Sequence, residues 1–274
     1  QRQIGIRDSD YILFDDFKKR YISENEPLFL PAARTGFVLT YKTLISESMK
    51  SGFGRGSVNS KFTAPVINFL SRFISLEVGT NKNFSDIVSF LENNLAQGKI
   101  IEDESPMKNI YYKPENLNQN IPLYLTSSLI TEISPLLLFL NDKNSEFKTM
   151  IIEEPEAHLH LKAQVVMARV CVRLVNRGLN LWLTTHSDTF FQQLNNLMKL
   201  NVHPKKDELL KKLNFKESEC LDVNKVKVYE FKVKDDRTEV SAVQASSTGF
   251  PVENFNSVLY KLYNEVNILE EDDD

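Results

Sequence analysis

The chain has 274 residues, 42% of them apolar, so it can bury a sizeable core as one large α/β domain, with or without a helical insertion. Its formal charge is −4, from 33 basic and 37 acidic residues, which excludes a global field that would recruit nucleic acid or an anionic membrane. No signal peptide and no apolar run of about 18 residues is present, so we predict a cytoplasmic protein. Cys171 and Cys220 lack metal-ligand spacing and fit free thiols in a reducing compartment.

In the first half of the chain, we predict a strand, three helices and a small antiparallel sheet. A buried strand at 27–34 leads into a helix at about 35–50, and Arg34 is a candidate partner for a carboxylate at the sheet edge. Helical spacing of apolar residues predicts two helices between about 63 and 97, the second ending at Gly98. Three short segments are typical of antiparallel strands, at 99–103, 109–113 and 121–125.

The centre of the chain predicts a β-α-β unit. A strand near 149–153 is followed by a helix from about 160 to 177, which Gly178 ends, and by a strand at 179–185. Because neighbouring strands of such a unit are parallel, their carboxyl ends meet at the same edge of the sheet. We therefore expect Glu153, Glu154 and His186 to line one rim of the sheet, where open α/β sheets bind ligands.

The last third of the chain predicts a helix, a hairpin and a terminal helix. Ser187 is a candidate N-cap for the helix that follows the central unit. Two alternating segments flank Asp235 and Asp236 and predict a β-hairpin. An amphipathic helix is expected from 252 to about 266, before an acidic tail at 270–274 that we expect to be disordered.

The most informative residues are the paired carboxylates of Glu153 and Glu154, since such a pair at the end of a buried strand suits a metal ion and a water molecule. No phosphate loop of the form G-x-x-x-x-G-K-[ST] accompanies them, because the glycine cluster at 51–61 has its lysine in the wrong place. The chain begins at Gln1 rather than methionine, so we expect the phosphate loop in preceding residues. Together these features predict part of an ATPase.

The order of these elements identifies a resemblance. An apolar strand, E-E-P-E-x-H-L-H, a helix, a second strand and T-T-H-S follow one another, and this order resembles the carboxyl half of an ABC-type ATPase head. The group of similar proteins includes OLD-family, SMC-like and bacterial defence ATPases. The resemblance implies a parallel-sheet α/β lobe with a helical insertion at about 50–110. The signature, Walker B and switch core would span about 120–200, and a hairpin and terminal helix about 222–268.

The resemblance also implies roles for single residues. Glu153 would hold magnesium, Glu154 would be the catalytic glutamate, and His186 would contact the γ-phosphate of ATP. Ser127 and Ser128 match the signature, whose helix N-terminus meets the ATP of the opposing subunit. The segment 155–160 matches the D-loop. The implied cofactors are ATP and Mg²⁺, and the implied partner is a second copy in a homodimer or higher homo-oligomer.

Three departures from the family pattern and several alternatives stay open. Leu129 stands where the signature has glycine, Leu161 where proline is usual, and Glu153 where aspartate is usual. His158 and His160 could instead ligate a metal in a nuclease. The serines could simply cap a helix, and the acidic run could be a solvated turn. A lysine-rich stretch at 205–212 leaves a nucleic-acid contact open.

The function that we infer from the sequence is ATP hydrolysis in a dimeric ATPase. Such an ATPase would be the motor or sensor subunit of a bacterial anti-phage defence or DNA-processing complex, with an effector protein such as a nuclease or toxin. The alternative is a non-catalytic, nucleotide-dependent scaffold or regulator of a separate effector.

Overall fold

The computed structural model describes residues 27–52, 62–103, 109–143, 147–246, 249–251 and 257–271, and for 45–52, 257–260, 270 and 271 it describes the backbone only. In chain order the strands are β1 (Leu28–Leu30), β2 (Gly98–Glu102), β3 (Ile110–Pro114), β4 (Ile121–Pro122), β5 (Thr149–Glu153), β6 (Asn180–Thr184), β7 (Val228–Lys234) and β8 (Arg237–Val243). The helices are α1 (Arg34–Gly52), α2 (Ala64–Ile74), α3 (Ser85–Leu91), α4 (Ser128–Leu140), α5 (Leu161–Asn176), α6 (Asp188–Asn201), α7 (Lys206–Leu213) and α8 (Ser257–Glu271).

The chain divides into two compact units. The first comprises the described residues up to Val166 together with Arg177–Thr185. The second comprises Met167–Asn176 together with the described residues from His186 onward. The predicted α/β class is confirmed, with a parallel sheet, helices in the first half and a hairpin and helix near the carboxyl end.

A parallel sheet forms the centre of the first unit. Within the described residues its strand order is β1-β5-β6, with Leu30 opposite Ile152 and Glu153 opposite Thr184. The middle strand β5 carries three successive apolar residues, Met150–Ile152, of which Met150 and Ile152 are buried. A strand paired on both sides and covered on both faces needs such a continuous apolar run. The predicted β-α-β unit is therefore present, with both strands ending at the same edge.

Aromatic and aliphatic side chains of the helices complete this first core. In α4 every residue from Ile130 to Leu140 is buried. Phe69 and Phe73 of α2 pack against Phe139 of α4, with ring centroids 5.9 and 6.3 Å apart. Such pairs add to the free energy of burial through their edge and offset geometries. These contacts hold the carboxyl-terminal half of α4 in the core.

The predicted antiparallel sheet is present, but the helix before it ends at a different residue from the one predicted. β2 pairs with β3, and β3 with β4. The helix that continues α3 as a single π turn, Glu92–Ala96, ends at Gln97, which has the left-handed φ of 49°. Gly98, which we predicted to end this helix, is instead the first residue of β2. Glycine is required there because a Cβ would lie 2.4 Å from the carbonyl oxygen of Lys113.

The second unit has its own core. Its buried residues come from α5, α6 and the loops beyond, namely Val172, Phe191, Leu197, Met198, Leu221 and Phe250. Asn195 of α6 fastens the last loop, because its side-chain amide donates to the carbonyl of Phe250 and accepts from the Phe250 N–H, both at 2.9 Å. Gly249 precedes this contact with φ 122°, and a Cβ there would lie 2.4 Å from Asn195 Oδ1.

The predicted hairpin is formed by β7 and β8, with Asp235 in the left-handed region at the turn. Of the predicted last helix, 252–256 lies outside the described residues, and α8 extends to Glu271. Our prediction of a disordered tail from 270 was therefore wrong for Glu270 and Glu271, because the helix extends through them. The glycine cluster at 51–61 lies mostly outside the described residues. Among the helices that the structure describes, none combines the length and hydrophobicity needed to cross a bilayer.

Candidate functional site

The paired glutamates lie at the carboxyl end of β5. Glu153 is the last residue of the strand, and Glu154 follows with φ 44°, in the left-handed region. A non-glycine residue in that region is strained by roughly 1–3 kcal/mol, and such strain persists only where surrounding contacts hold it. The Glu154 N–H supplies one of these contacts, donating to the carbonyl oxygen of Thr184 at 3.1 Å and to Thr184 Oγ1 at 3.2 Å. β6 therefore sets the direction in which the chain leaves β5.

Contacts from the loop after β1 hold the same turn from the other side. The N–H of Ala32 donates to Glu153 Oε2 at 3.1 Å. The guanidinium of Arg34 donates to the carbonyl oxygens of Glu153 and Glu154, at 2.8 and 3.0 Å. Arg34 also forms a buried ion pair with the carboxylate of Glu132 in α4. The predicted carboxylate partner of Arg34 is thus on a helix, while at the sheet edge Arg34 binds main-chain oxygens.

Residues 155–160, which match the D-loop, form a compact turn. Glu156 is buried, and Thr185 Oγ1 donates to its Oε1 at 2.6 Å. His158 has φ 57°, a second left-handed residue in this short segment. His160 is exposed and caps α5, since its Nδ1 accepts from the N–H of Ala163 at 3.3 Å. Leu161, which replaces the usual proline, is exposed at the first position of α5, where the helix tolerates it.

The alternative metal site at His158 and His160 finds no ligand cluster in the part of the chain that the structure describes. Among the described residues, no group of three histidine, cysteine, aspartate or glutamate side chains is placed to hold a metal ion. Glu156 is engaged by Thr185 and His160 by the helix end. The described residues thus provide no geometric support for a nuclease centred on His158 and His160.

A magnesium ion that accompanies a nucleotide needs only a few protein ligands. Mg²⁺ takes hard oxygen ligands and is commonly bound by one or two carboxylates together with substrate phosphates and waters. Glu153 supplies a half-buried carboxylate, and its Oε2 accepts a hydrogen bond from the Ala32 N–H. The chemistry of this residue fits that demand.

Ser127 and Ser128, which we predicted to form the signature, lie at the start of α4. Ser127 is the N-cap, with its side chain accepting from the Ile130 N–H at 3.5 Å, and Ser128 is the first helical residue. Both serines are exposed. Tyr124 and Leu125, just before them, are also exposed, at 70% and 66%. An exposed helix N-terminus carrying hydroxyls is suited to an anionic ligand, although the N-cap role by itself would account for Ser127.

His186 follows β6 by two residues and is exposed. It belongs to the second unit, in which the neighbouring Ser187 caps α6, as predicted, by accepting from the Phe190 N–H at 3.1 Å. That β5 and β6 are parallel neighbours is confirmed. The cleft that His186 would share with the two glutamates stays a prediction.

The residues that sequence reasoning missed are Ala32, Glu132 and Thr184, and the role of Arg34 was only partly foreseen. One signal was available for Arg34. It is the first residue of α1, where the helix dipole disfavours a cation. A buried arginine at that position needs a compensating acidic group or carbonyl oxygens, and the structure has both.

One family model matches part of this chain. Residues 57–191 match the family model of the AAA ATPase domain, a range that covers just under half of the chain and includes both glutamates, both serines and His186. This match supports an ATPase domain over that range. None of the curated proteins matches the sequence.

Among solved structures, SMC heads are similar at low identity. A structure from work on ATP-driven dimerization and DNA-stimulated activation of SMC ATPases has 14% identity and a TM-score of 0.42, covering 72% of this chain and 96% of that one. The Smc head with an extended coiled coil, bound to the C-terminal domain of ScpA from Pyrococcus furiosus, has 15% identity and a TM-score of 0.39, covering 96% and 52%.

A third structure, the Smc head bound to the C-winged helix domain of ScpA, has 14% identity and a TM-score of 0.38, covering 67% and 47%. This chain thus spans about half the length of the two ScpA-bound heads. Similarity at this level carries no information about the activity or partners of this chain.

Proposed function

We propose that this chain is the Walker B, D-loop and switch part of an ABC-type ATPase head, which hydrolyses ATP between two heads. The observation that carries the proposal is the Glu153–Glu154 pair at the end of the middle strand β5, where Glu154 is held in a strained backbone conformation by β6 and by Arg34. Strain maintained by surrounding contacts is typical of residues with a chemical task. The match to the AAA ATPase domain supports the same class.

In the proposed mechanism, water attacks the γ-phosphate in line with the leaving group. Glu154 orients this water and accepts its proton, which requires an ionised carboxylate at a defined position. Glu153 would hold magnesium, which supplies charge neutralisation on the phosphates. His186 stabilises charge on the γ-phosphate oxygens. Positioning and electrostatics supply most of the rate acceleration in phosphoryl transfer, so small displacements of these side chains matter.

The phosphate loop would come from sequence outside these 274 residues, and the opposing head would supply Ser127 and Ser128. The resulting homodimer is proposed to act as the motor or sensor of a cytoplasmic defence or DNA-processing complex with a separate effector. The non-catalytic alternative has one observation in its favour, Leu129. This residue is half-buried in the first turn of α4, at the position where glycine would allow a closer approach of phosphate.

Replacing His186 with alanine in the full-length protein should lower kcat for ATP hydrolysis by about 10²-fold, the usual cost of removing one group that stabilises transition-state charge. The affinity for ATP should change much less. Turnover and ATP binding are measured together with the melting temperature. His203→Ala, which removes another exposed histidine of the second unit, serves as the matched control and should leave kcat unchanged. An effect of His186→Ala on melting temperature alone would make this histidine a structural residue.

Dimerisation is tested separately from chemistry. The full-length protein carrying Glu154→Gln should sediment as a dimer with ATP and magnesium and as a monomer without them, because ATP bound between the heads stabilises the dimer by mass action. Adding Ser128→Arg should raise the dissociation constant of the ATP-induced dimer on the order of tenfold or more. Each factor of ten corresponds to a loss of about 1.4 kcal/mol in the free energy of dimerisation.

The matched control is Ser85→Arg, which places the same side chain on another exposed serine at the first residue of a helix, α3. It should leave the ATP-induced dimer intact. A protein that stays monomeric with ATP, or a dimer that tolerates arginine at position 128, would contradict the proposed role of the serines.

A further inference from the structure

Arg34 reaches the two site glutamates through their main chain. The residue is 3% exposed and lies four residues beyond the end of β1, at the start of α1. Its Nη1 donates to the carbonyl oxygens of Glu153 at 2.8 Å and Pro31 at 3.2 Å, and its Nη2 donates to the carbonyl oxygen of Glu154 at 3.0 Å. A guanidinium can do this because its donors lie in one plane in a fixed fork, whereas an ammonium is a point charge.

A buried carboxylate balances the charge of Arg34. Glu132 of α4 is 2% exposed and forms the ion pair with Nη2, and Thr35 Oγ1 donates to Glu132 Oε2 at 2.5 Å. Burial raises the pKa of Glu132, and the neighbouring Arg34 charge opposes that rise. Arg34 also donates through Nε to the main-chain oxygen of Glu132 at 3.4 Å. The fork is thus fixed to β5 on one side and to α4 on the other.

The held residue is Glu154, whose backbone is in the left-handed region. Its N–H is bound by Thr184 and its carbonyl oxygen by Arg34, so both peptide groups of this one residue are fixed. The direction of the Glu154 side chain follows from these two contacts, since backbone φ sets where the Cβ points.

We propose that Arg34 is the positioning residue of the site: its guanidinium bridges the carbonyl oxygens of Glu153 and Glu154 and thereby aims the Glu154 carboxylate at the attacking water. The inference rests on the proposed function of Glu154 as the general base. Arg34 itself makes no contact with substrate in this role. It acts on the rate by defining the geometry of another side chain.

Arg34→Lys keeps the positive charge beside Glu132 but replaces the planar fork, whose separate nitrogens bind the two carbonyl oxygens, with a single ammonium nitrogen. In the full-length protein it should lower kcat for ATP hydrolysis on the order of 10- to 10²-fold, the cost expected of a catalytic group displaced by about 1 Å. KM for ATP should change by less than about threefold, because ground-state binding is unaffected. In a Glu154→Gln background, Arg34→Lys should lower kcat by no more than about threefold further, since both changes act through one group.

The matched control is Arg177→Lys. Arg177 uses the same fork, donating to the carbonyl oxygen of Asn83 at 2.9 Å and to Asp86 Oδ1 at 2.6 Å, but it contacts neither glutamate. This variant should leave kcat at the wild-type value. Equal losses in the two lysine variants, or fully additive losses of Arg34→Lys and Glu154→Gln, would overturn the positioning role.

Amide hydrogen exchange provides a readout that does not depend on ATP. Exchange at the amides of Glu154 and of residues 156–158 should accelerate at least about tenfold in Arg34→Lys and stay unchanged in Arg177→Lys, because local opening governs exchange. If the wild-type protein hydrolysed no ATP, the proposed function would fail. Independently of that result, unchanged amide exchange in Arg34→Lys would overturn the proposal that Arg34 positions the turn.

A second variant keeps the proposal testable if Arg34→Lys does not fold. Arg34→Met combined with Glu132→Met removes both buried charges together, which is often neutral for stability. This pair should show the same loss of kcat and the same accelerated exchange at Glu154. Wild-type kcat in the folded double variant would overturn the proposal.

Discussion

Replacing Glu154 with glutamine in the full-length protein is expected to lower ATP turnover by a factor on the order of 10² to 10⁴, the scale associated with loss of a general base. The amide has the shape of the carboxylate but cannot accept the proton of the attacking water. ATP binding should be retained, because the proposed phosphate and magnesium contacts lie elsewhere. The measurement is steady-state hydrolysis together with equilibrium binding of ATP.

Glu115→Gln is the control for Glu154→Gln. Glu115 is an exposed glutamate of the first unit that follows β3. The Glu115→Gln variant should hydrolyse ATP at the wild-type rate. If Glu154→Gln also hydrolysed ATP at the wild-type rate, Glu154 would not be the general base. If the wild-type protein bound ATP without hydrolysing it, the result would favour the alternative of a non-catalytic scaffold.

The largest expected effect on stability is in the second unit, at Glu219. This fully buried carboxylate accepts from Arg169 Nε at 2.7 Å and pairs with Arg173 Nη2 at 3.1 Å, and it also accepts from the Lys216 N–H at 2.7 Å. Replacing it with alanine would leave buried guanidinium groups without their counter-charge. We expect a loss of about 3–5 kcal/mol in the free energy of unfolding.

Chemical denaturation measures this loss, and Glu217→Ala is the matched control. Glu217 pairs with Lys206, but its side chain is 70% exposed, and exposed ion pairs contribute about 0–1 kcal/mol. Equal effects of the two substitutions would mean that burial of Glu219 contributes nothing to the strength of its ion pairs.

The stability that Glu219 provides should depend on pH. Burial raises the pKa of Glu219, but the hydrogen bonds from Arg169 and from the Lys216 N–H, together with the charges of Arg169 and Arg173, outweigh burial. These contacts hold the pKa of Glu219 below its ordinary value. A carboxylate whose pKa is lowered in the folded state stabilises the fold fully above its unfolded pKa. That contribution is lost as the pH falls through the folded pKa. The free energy of unfolding should therefore fall less steeply below about pH 4.5 in Glu219→Gln than in wild-type protein.

The helices and strands were largely predictable because their signals are local. The apolar run before Glu153 defined β5, and Gly178, with φ 99°, ended α5 where we expected. One local signal was misleading. We expected Gly98 to end the second helix, but Gln97 adopts the left-handed conformation, while Gly98 is needed where β3 approaches β2.

The sequence by itself also determined the order of the site elements, since the paired glutamates, the D-loop segment and His186 follow strands whose parallel pairing the β-α-β pattern dictates. Only the tertiary structure decided what holds the glutamates. Arg34 lies 119 and 120 residues from them along the chain, and its counter-ion Glu132 lies on a third segment. No periodicity connects such distant residues. The left-handed backbone of Glu154 likewise has no local signal, because glutamate does not prefer that conformation and adopts it here only through these contacts.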